Sequence, residues 1–274
     1  MTVILSEISK KGKLYPGSIL NLYLSLFPKV FPKEEREDFI FYNGVGGIGL
    51  LFEGKIAEKS TQNLASFTVK VANKSFCVLK YRLSDNQKGI EKLKQEVAVQ
   101  TLNDSSFVIL VHTGKWYNNK NWLMKDMLPR ITPEGNIYVC YGSIGQYFGF
   151  GDDIKHFYEG ESRGLVYTSR NKGQTDTEII SSYYGKFLDQ EKLNGLVEDT
   201  GLRHFTTGIY KKINSPKLFF VRSKTVKSDI VSFQSKDSTY ICTSKSLALA
   251  LRDKTSIKSA LKPFLKGNII EHNL

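Results

Sequence analysis

The densest chemistry in the chain lies at Gln174-Thr175-Asp176-Thr177-Glu178-Ile179-Ile180. Thr175 is placed to cap a helix, with Glu178 three residues on as its capping-box partner. Acidic groups in a first turn also favour the positive end of the helix dipole. That accounts for Thr175 and Glu178 and leaves Asp176, a carboxylate that either faces a cationic group on a ligand or simply opens a surface helix. A second group is His112-Thr113-Gly114-Lys115-Trp116, where imidazole, ammonium and indole follow one another at the end of an apolar run. His112 is either a general base or a strand-end histidine satisfied by the fold. Lys115 and Trp116 either line a pocket or belong to an exposed loop. A third, Tyr141-Gly142, closes another apolar run and is either a pocket wall or the plain end of a buried strand.

Other chemistries find less support. Cys77, Cys140 and Cys242 are far apart and odd in number, with no C-x-x-C pair, so neither a zinc site nor a disulfide framework is indicated. Cys140 reads as a small buried hydrophobe. Gly44, Gly46, Gly47 and Gly49 match neither a dinucleotide fingerprint nor a P-loop, because no βαβ context and no Gly-Lys-Ser/Thr accompany them. They read as structural glycines in a turn leading to a buried strand whose backbone is closely approached. No cofactor or metal is expected.

The elements that must position these groups read as follows. Residues 2–8 form a strand almost from the first residue. After a loop with Pro16-Gly17, leucines mark a helix that ends before Pro28. Residues 66–83 alternate as two paired strands with a turn near Asn73 and Lys74. Residues 88–102 are an amphipathic helix. Residues 107–112 and 137–141 are buried strands, the second followed by a glycine-rich aromatic loop at 145–151. Residues 163–169 read as a strand, and Thr175 opens a helix to about Leu188, with a shorter one at 189–197. Short strands follow at 205–210, 217–222, 230–233 and 239–242, then a helix at 244–252 capped by Ser244. The expected organisation is one α+β domain over 1–252 with two sheets and outer helices. A basic extension, 253–274, docks through Leu261 and Phe264.

The net charge of the 274 residues is +12 and is unevenly spread. Residues 201–274 carry 14 Lys and Arg against 4 Asp and Glu, a balance of +10; the first 200 carry 25 against 23. A basic C-terminal third fits a polyanion, nucleic acid included, although lysines on exposed faces also serve solubility. No aromatic-rich RNA motif or helix-turn-helix pattern accompanies the charge. No apolar run reaches the ~20 residues of a membrane span. The first residues lack the pattern of a signal peptide, and the cysteine usage fits a reducing, cytoplasmic setting.

Taken in order, several segments resemble the glutaminase domain of class II glutamine amidotransferases, the N-terminal-nucleophile hydrolase fold seen in glucosamine-phosphate synthase and amidophosphoribosyltransferase. Thr175-Asp176-Thr177-Glu178-Ile179-Ile180 resembles T-D-T-E-V-I, and Val139-Cys140-Tyr141-Gly142-Ser143-Ile144 falls at V-H-N-G-x-I. His112 to Trp116 resembles H-T-R-W with one inserted residue, and the glycines from Gly44 to Gly49 resemble D-x-x-G-I-A. The stretches ending at Arg222 and at Leu249 resemble p-x-x-l-x-x-a-R and x-i-a-S-d-x-x-A-l.

The resemblance covers roughly residues 2–252 and implies a four-layer αββα sandwich. It also implies a nucleophile directly after Met1 that attacks a glutamine side-chain amide, with its own α-amine as base. Thr2 holds that position in place of the family's cysteine; its amine, of pKa ~7.7–8, becomes available only when Met1 is removed. Tyr141 stands at the oxyanion asparagine, with Gly142 retained beside it. Gly114, or Lys115 with one residue looped out, stands at the arginine that holds the substrate carboxylate. Asp176 is retained for the substrate amine. Three functions are expected, one of them a nucleic-acid-associated protein in which the charge is the function; the other two follow from this set. One is amide hydrolysis at Thr2, with ammonia passed to a partner synthase. The other is a catalytically inactive descendant, a pseudoenzyme that binds or assembles through its basic C-terminal third.

Overall fold

A computed structural model of the chain describes residues 2–30, 46–83, 87–100, 105–113, 127–132, 135–143, 203–212, 215–222, 229–265 and 269–274. In chain order the strands are β1 (Thr2–Ser9), β2 (Gly46–Glu53), β3 (Lys59–Ser60), β4 (Leu64–Val71), β5 (Lys74–Leu83), β6 (Phe107–Thr113) and β7 (Arg130–Ile131). Next come β8 (Ile137–Ser143), β9 (Arg203–Lys212), β10 (Ser215–Arg222), β11 (Val231–Gln234), β12 (Ser238–Cys242), β13 (Lys262–Pro263) and β14 (Ile269–Asn273). The helices among the described residues are α1 (Pro16–Val30), α2 (Gln87–Gln100) and α3 (Lys245–Lys254). None is long and apolar enough to cross a membrane. The fold class is α+β, and the chain forms two compact units.

The first unit comprises Met1–Lys70, Lys74–Pro129 and Ser228–Phe264. Its nine-stranded sheet has the order β13-β11-β12-β1-β6-β2-β5-β4-β3. β1 lies well inside it, antiparallel to both β12 and β6. Alternation sends Val3 and Leu5 to the face covered by helices, while Ile4 and Ser6 go to the other; all four are buried. A strand buried on both faces reads as a continuous apolar run, as Val3-Ile4-Leu5 does. The helical face packs Leu20, Tyr23 and Phe27 of α1, Leu93 and Val97 of α2, and Leu247 and Leu251 of α3. Their spacing is that of one helical face, and each such burial contributes about 1.5–3 kcal/mol.

Local chemistry sets the element ends. α1 begins at Pro16, where the missing N–H leaves no helical bond unmade. It continues through Pro28 to Val30, one turn beyond the expected stop; that proline sits so close to the C-terminus that only the last turn loses a bond. α3 is capped as its sequence suggests, the Leu247 N–H donating to Ser244 Oγ at 3.3 Å. The expected turn between β4 and β5 falls on Ala72 and Asn73, with Ala72 at φ 54°.

The second unit comprises Val71–Asn73, Arg130–Lys227 and Leu265–Leu274. Its sheet has five strands in the order β14-β10-β9-β8-β7. Phe205 to Tyr210 in β9 and Leu218 to Arg222 in β10 are buried without interruption. Gly208 is required by close approach, because a Cβ there would lie 2.0 Å from the Ile137 carbonyl oxygen. The C-terminal residues give edge strands to both sheets: β13 pairs with β11 and β14 with β10. Phe264 is buried. The expected strand at 163–169, the helices from Thr175 to 197 and the loop at 145–151 lie outside the described residues.

Candidate functional site

Thr2 is the first residue of β1 and is half-buried. It pairs with Thr113, the last residue of β6. Thr113 pairs in turn with Gly47 of β2, and Gly47 with Arg82 of β5. The four form one row across the sheet, on the face away from the helices. The start of β1 is held firmly: the Ile4 N–H donates to Thr243 Oγ1 at 2.9 Å, and the Thr243 N–H donates to the Ile4 carbonyl at 3.0 Å. A side chain at residue 2 is thereby carried on a rigid strand rather than on a loop.

Gly47 and Gly49 are explained by what lies on them. A Cβ at residue 47 would fall 2.0 Å from the methyl carbon of Met127; one at residue 49 would fall 2.1 Å from the Leu128 carbonyl oxygen and 2.7 Å from Pro129 Cδ. The 127–129 segment crosses β2 in direct contact with its backbone. The close approach expected of this glycine cluster is thus met at both positions.

His112 lies one residue from Thr113 and so points to the opposite face from Thr2. Its imidazole is fully buried under α1. Nδ1 shares a 2.7 Å hydrogen bond with the Tyr23 hydroxyl. The Tyr23 ring meets it edge-on at 5.6 Å, and Phe27 packs against it at 5.0 Å. Burial raises the Tyr23 pKa well above its ordinary value, with a smaller contribution from Cys242, so the phenol keeps its proton. Burial also pushes the Cys242 thiol up to about 12, and the Cys77 thiol to about 12. Neither is a nucleophile at neutral pH. His112 packs under α1, and its side chain is directed away from the Thr2 row.

Tyr141 and Gly142 are at the end of β8 in the second unit, in register with Phe205 and His204 of β9. Lys115, Trp116 and Asp176 lie outside the described residues. The structure therefore joins Thr2 with Thr113, Gly47 and Arg82. The last of these was missed in the sequence, although its alternation with Lys80 along β5 is the pattern that carries both cations to one face.

No family model and no curated protein sequence matches the chain. Solved structures do. Glutamine phosphoribosylpyrophosphate amidotransferase from B. subtilis, complexed with ADP and GMP, superposes with a TM-score of 0.52 at 8% identity, over 99% of this chain and 47% of that one. A structure described as the allosteric regulatory enzyme of purine biosynthesis gives 0.54 at 9% identity, again over 99% and 47%. The likeness shows the fold. The chain spans about half the length of these structures, and at such identity their activity does not transfer with the architecture.

Proposed function

We propose that the chain is a glutaminase-type domain that hydrolyses a side-chain amide, with Thr2 as the nucleophile once Met1 is removed. The observation that carries this reading is the position of Thr2: first in a central strand that Thr243 pins at Ile4, on the face opposite the helices, within a fold like that of an amidotransferase. In the proposed reaction the Thr2 hydroxyl oxygen attacks the amide carbon and its proton passes to the free α-amine. A tetrahedral oxyanion forms, ammonia leaves with the returned proton, and water then hydrolyses the ester to regenerate threonine. By the motif resemblance alone, Gly142 and Tyr141 would supply the oxyanion donors and Asp176 the partner of the substrate amine. The architecture implied by this assignment is the four-layer αββα sandwich.

The substrate carboxylate requires a cation. Lys115 offers a point charge, with Trp116 as a pocket wall. Arg82 offers a planar fork on the Thr2 row. Three strand spacings, about 14 Å, separate the two backbones, and Met127 and Leu128 lie over Gly47 and Gly49 between them. A partner synthase is the proposed recipient of the ammonia.

A second reading, a binding or assembly protein on the same fold, is favoured by the substitutions at the oxyanion and clamp positions, Tyr141 and Gly114 or Lys115. Ammonia release from glutamine by the native protein and by Thr2→Ala separates the two. Release by the first and only background from the second supports hydrolysis. No release from either supports the binding reading.

A further inference from the structure

The end of the nine-stranded sheet opposite Thr2 is built from lysine-bearing loops. Lys10, Lys11 and Lys13 follow β1, Lys55 follows β2, and Lys236 lies between β11 and β12; all are exposed. Lys258 joins them from beyond α3, because the Gln234 N–H donates to the neighbouring Ser259 Oγ at 3.1 Å. The loops are tied together, with the Lys10 N–H donating to the Asp237 carbonyl at 2.8 Å and Lys11 paired with the Asp237 carboxylate at 2.7 Å. Glu53, at the end of β2, is likewise held by Lys74 at 2.6 Å. Half of these cations come from the first 13 residues, whose place beside the C-terminal lysines is a product of the β1–β12 pairing.

We infer that this end binds the phosphate backbone of nucleic acid without reading its sequence. From β11 to β2 the lysines extend over four strand spacings, about 19 Å. One strand of a duplex presents a phosphate every ~3.4 Å, so that span meets about six of them. The cations are lysines, point charges suited to backbone contact, and none of these loops holds an arginine for bidentate base recognition. An acidic protein partner would call for an apolar centre to the contact. Among the described residues the large apolar side chain exposed beside these loops is Tyr15, 57% exposed.

Fluorescence anisotropy of the full chain with a short mixed-sequence DNA duplex tests this. Log affinity should fall against log salt with a slope of about −5, from six contacts at ~0.9 each, Lys11 exchanging the exposed Asp237 carboxylate for a phosphate. The triple variant Lys10→Ala/Lys11→Ala/Lys13→Ala should bind at least tenfold more weakly at low salt, with the slope reduced to about −3. A control triple with the same change in net charge, Lys29→Ala/Lys92→Ala/Lys245→Ala, should bind as the native protein does. Equal weakening by both triples overturns the assignment, as does an absence of binding at low salt. So does a preference for polyglutamate, standing in for an acidic protein, or for phosphatidylserine vesicles. Thr2→Ala should leave the binding unchanged, which keeps this test separate from that of amide hydrolysis.

Discussion

The two ends of the nine-stranded sheet are made by different means. At one end Thr2, Thr113, Gly47 and Arg82 are aligned by strand register, and the strand beneath Thr2 is fixed by reciprocal hydrogen bonds with Thr243. At the other end the chain turns through loops whose lysine side chains are exposed. Bond making requires reacting atoms within a narrow range of distance and angle, so the candidate nucleophile rides on a strand. Attraction to a charged backbone acts over about a Debye length, and flexible side chains on loops suffice for it. The difference lies in the positional accuracy each kind of work requires.

The largest effect should come from filling the space above β2 at the Thr2 end. Gly49→Ala drives a Cβ into the Leu128 carbonyl and Pro129, which cannot yield without moving backbone. A loss at or beyond the upper end of the ~1–3 kcal/mol typical of overpacking is expected, measured by chemical denaturation. Gly47→Ala meets the free end of Met127 instead and should cost clearly less. Equal losses would show that the 127–129 segment is not held against β2 as described.

Beneath the same end, Tyr23→Phe removes the hydroxyl bonded to His112 Nδ1. A buried polar group deprived of its partner costs about 1–3 kcal/mol. Thermal unfolding should show that loss, whereas amide hydrolysis per folded molecule should be retained, since His112 faces away from Thr2. A collapse of activity with unchanged stability would place His112 in the chemistry after all.

The smallest effect belongs to the lysine end. Burial tends to raise the Glu53 pKa, but hydrogen bonds from Lys74 and Ser106 outweigh it, and the net position is below the ordinary 4.5. A carboxylate depressed on folding stabilises the protein above its unfolded pKa, and that contribution is lost as pH falls through the lower folded value. Glu53→Gln should therefore cost up to about 1 kcal/mol at pH 7, as expected of a partly exposed pair. The difference from the native protein should disappear in acid. A difference that persists unchanged at low pH would assign it to packing rather than charge.

Much of this architecture is legible in the sequence. The apolar runs placed β1, β6 and β8, Ser244 announced α3, and the glycines of β2 signalled a close approach. The start of α1 reads as a loop because Pro16-Gly17 is a turn signal in isolation and a helix start only in company with Tyr23 and Phe27. β14 was missed because Ile269 to Asn273 lacks a clear alternation and gains its strand character from pairing with β10. His112 could not be assigned to a face until the register of β6 was known, since one residue separates it from Thr113. The lysine end was half visible: composition located charge in the C-terminal third, but only the antiparallel pairing of β1 with β12 brings Lys10, Lys11 and Lys13 beside Lys236.

The most direct test of the central claim is to treat the native protein with an electrophilic glutamine analogue and map the adduct by peptide mass spectrometry. The expected result is a single adduct on Thr2, on a peptide lacking Met1, with competition by glutamine and no adduct in Thr2→Ala. Retention of Met1 in the native protein, with no adduct at residue 2, would contradict an N-terminal threonine nucleophile and leave the fold to a binding role.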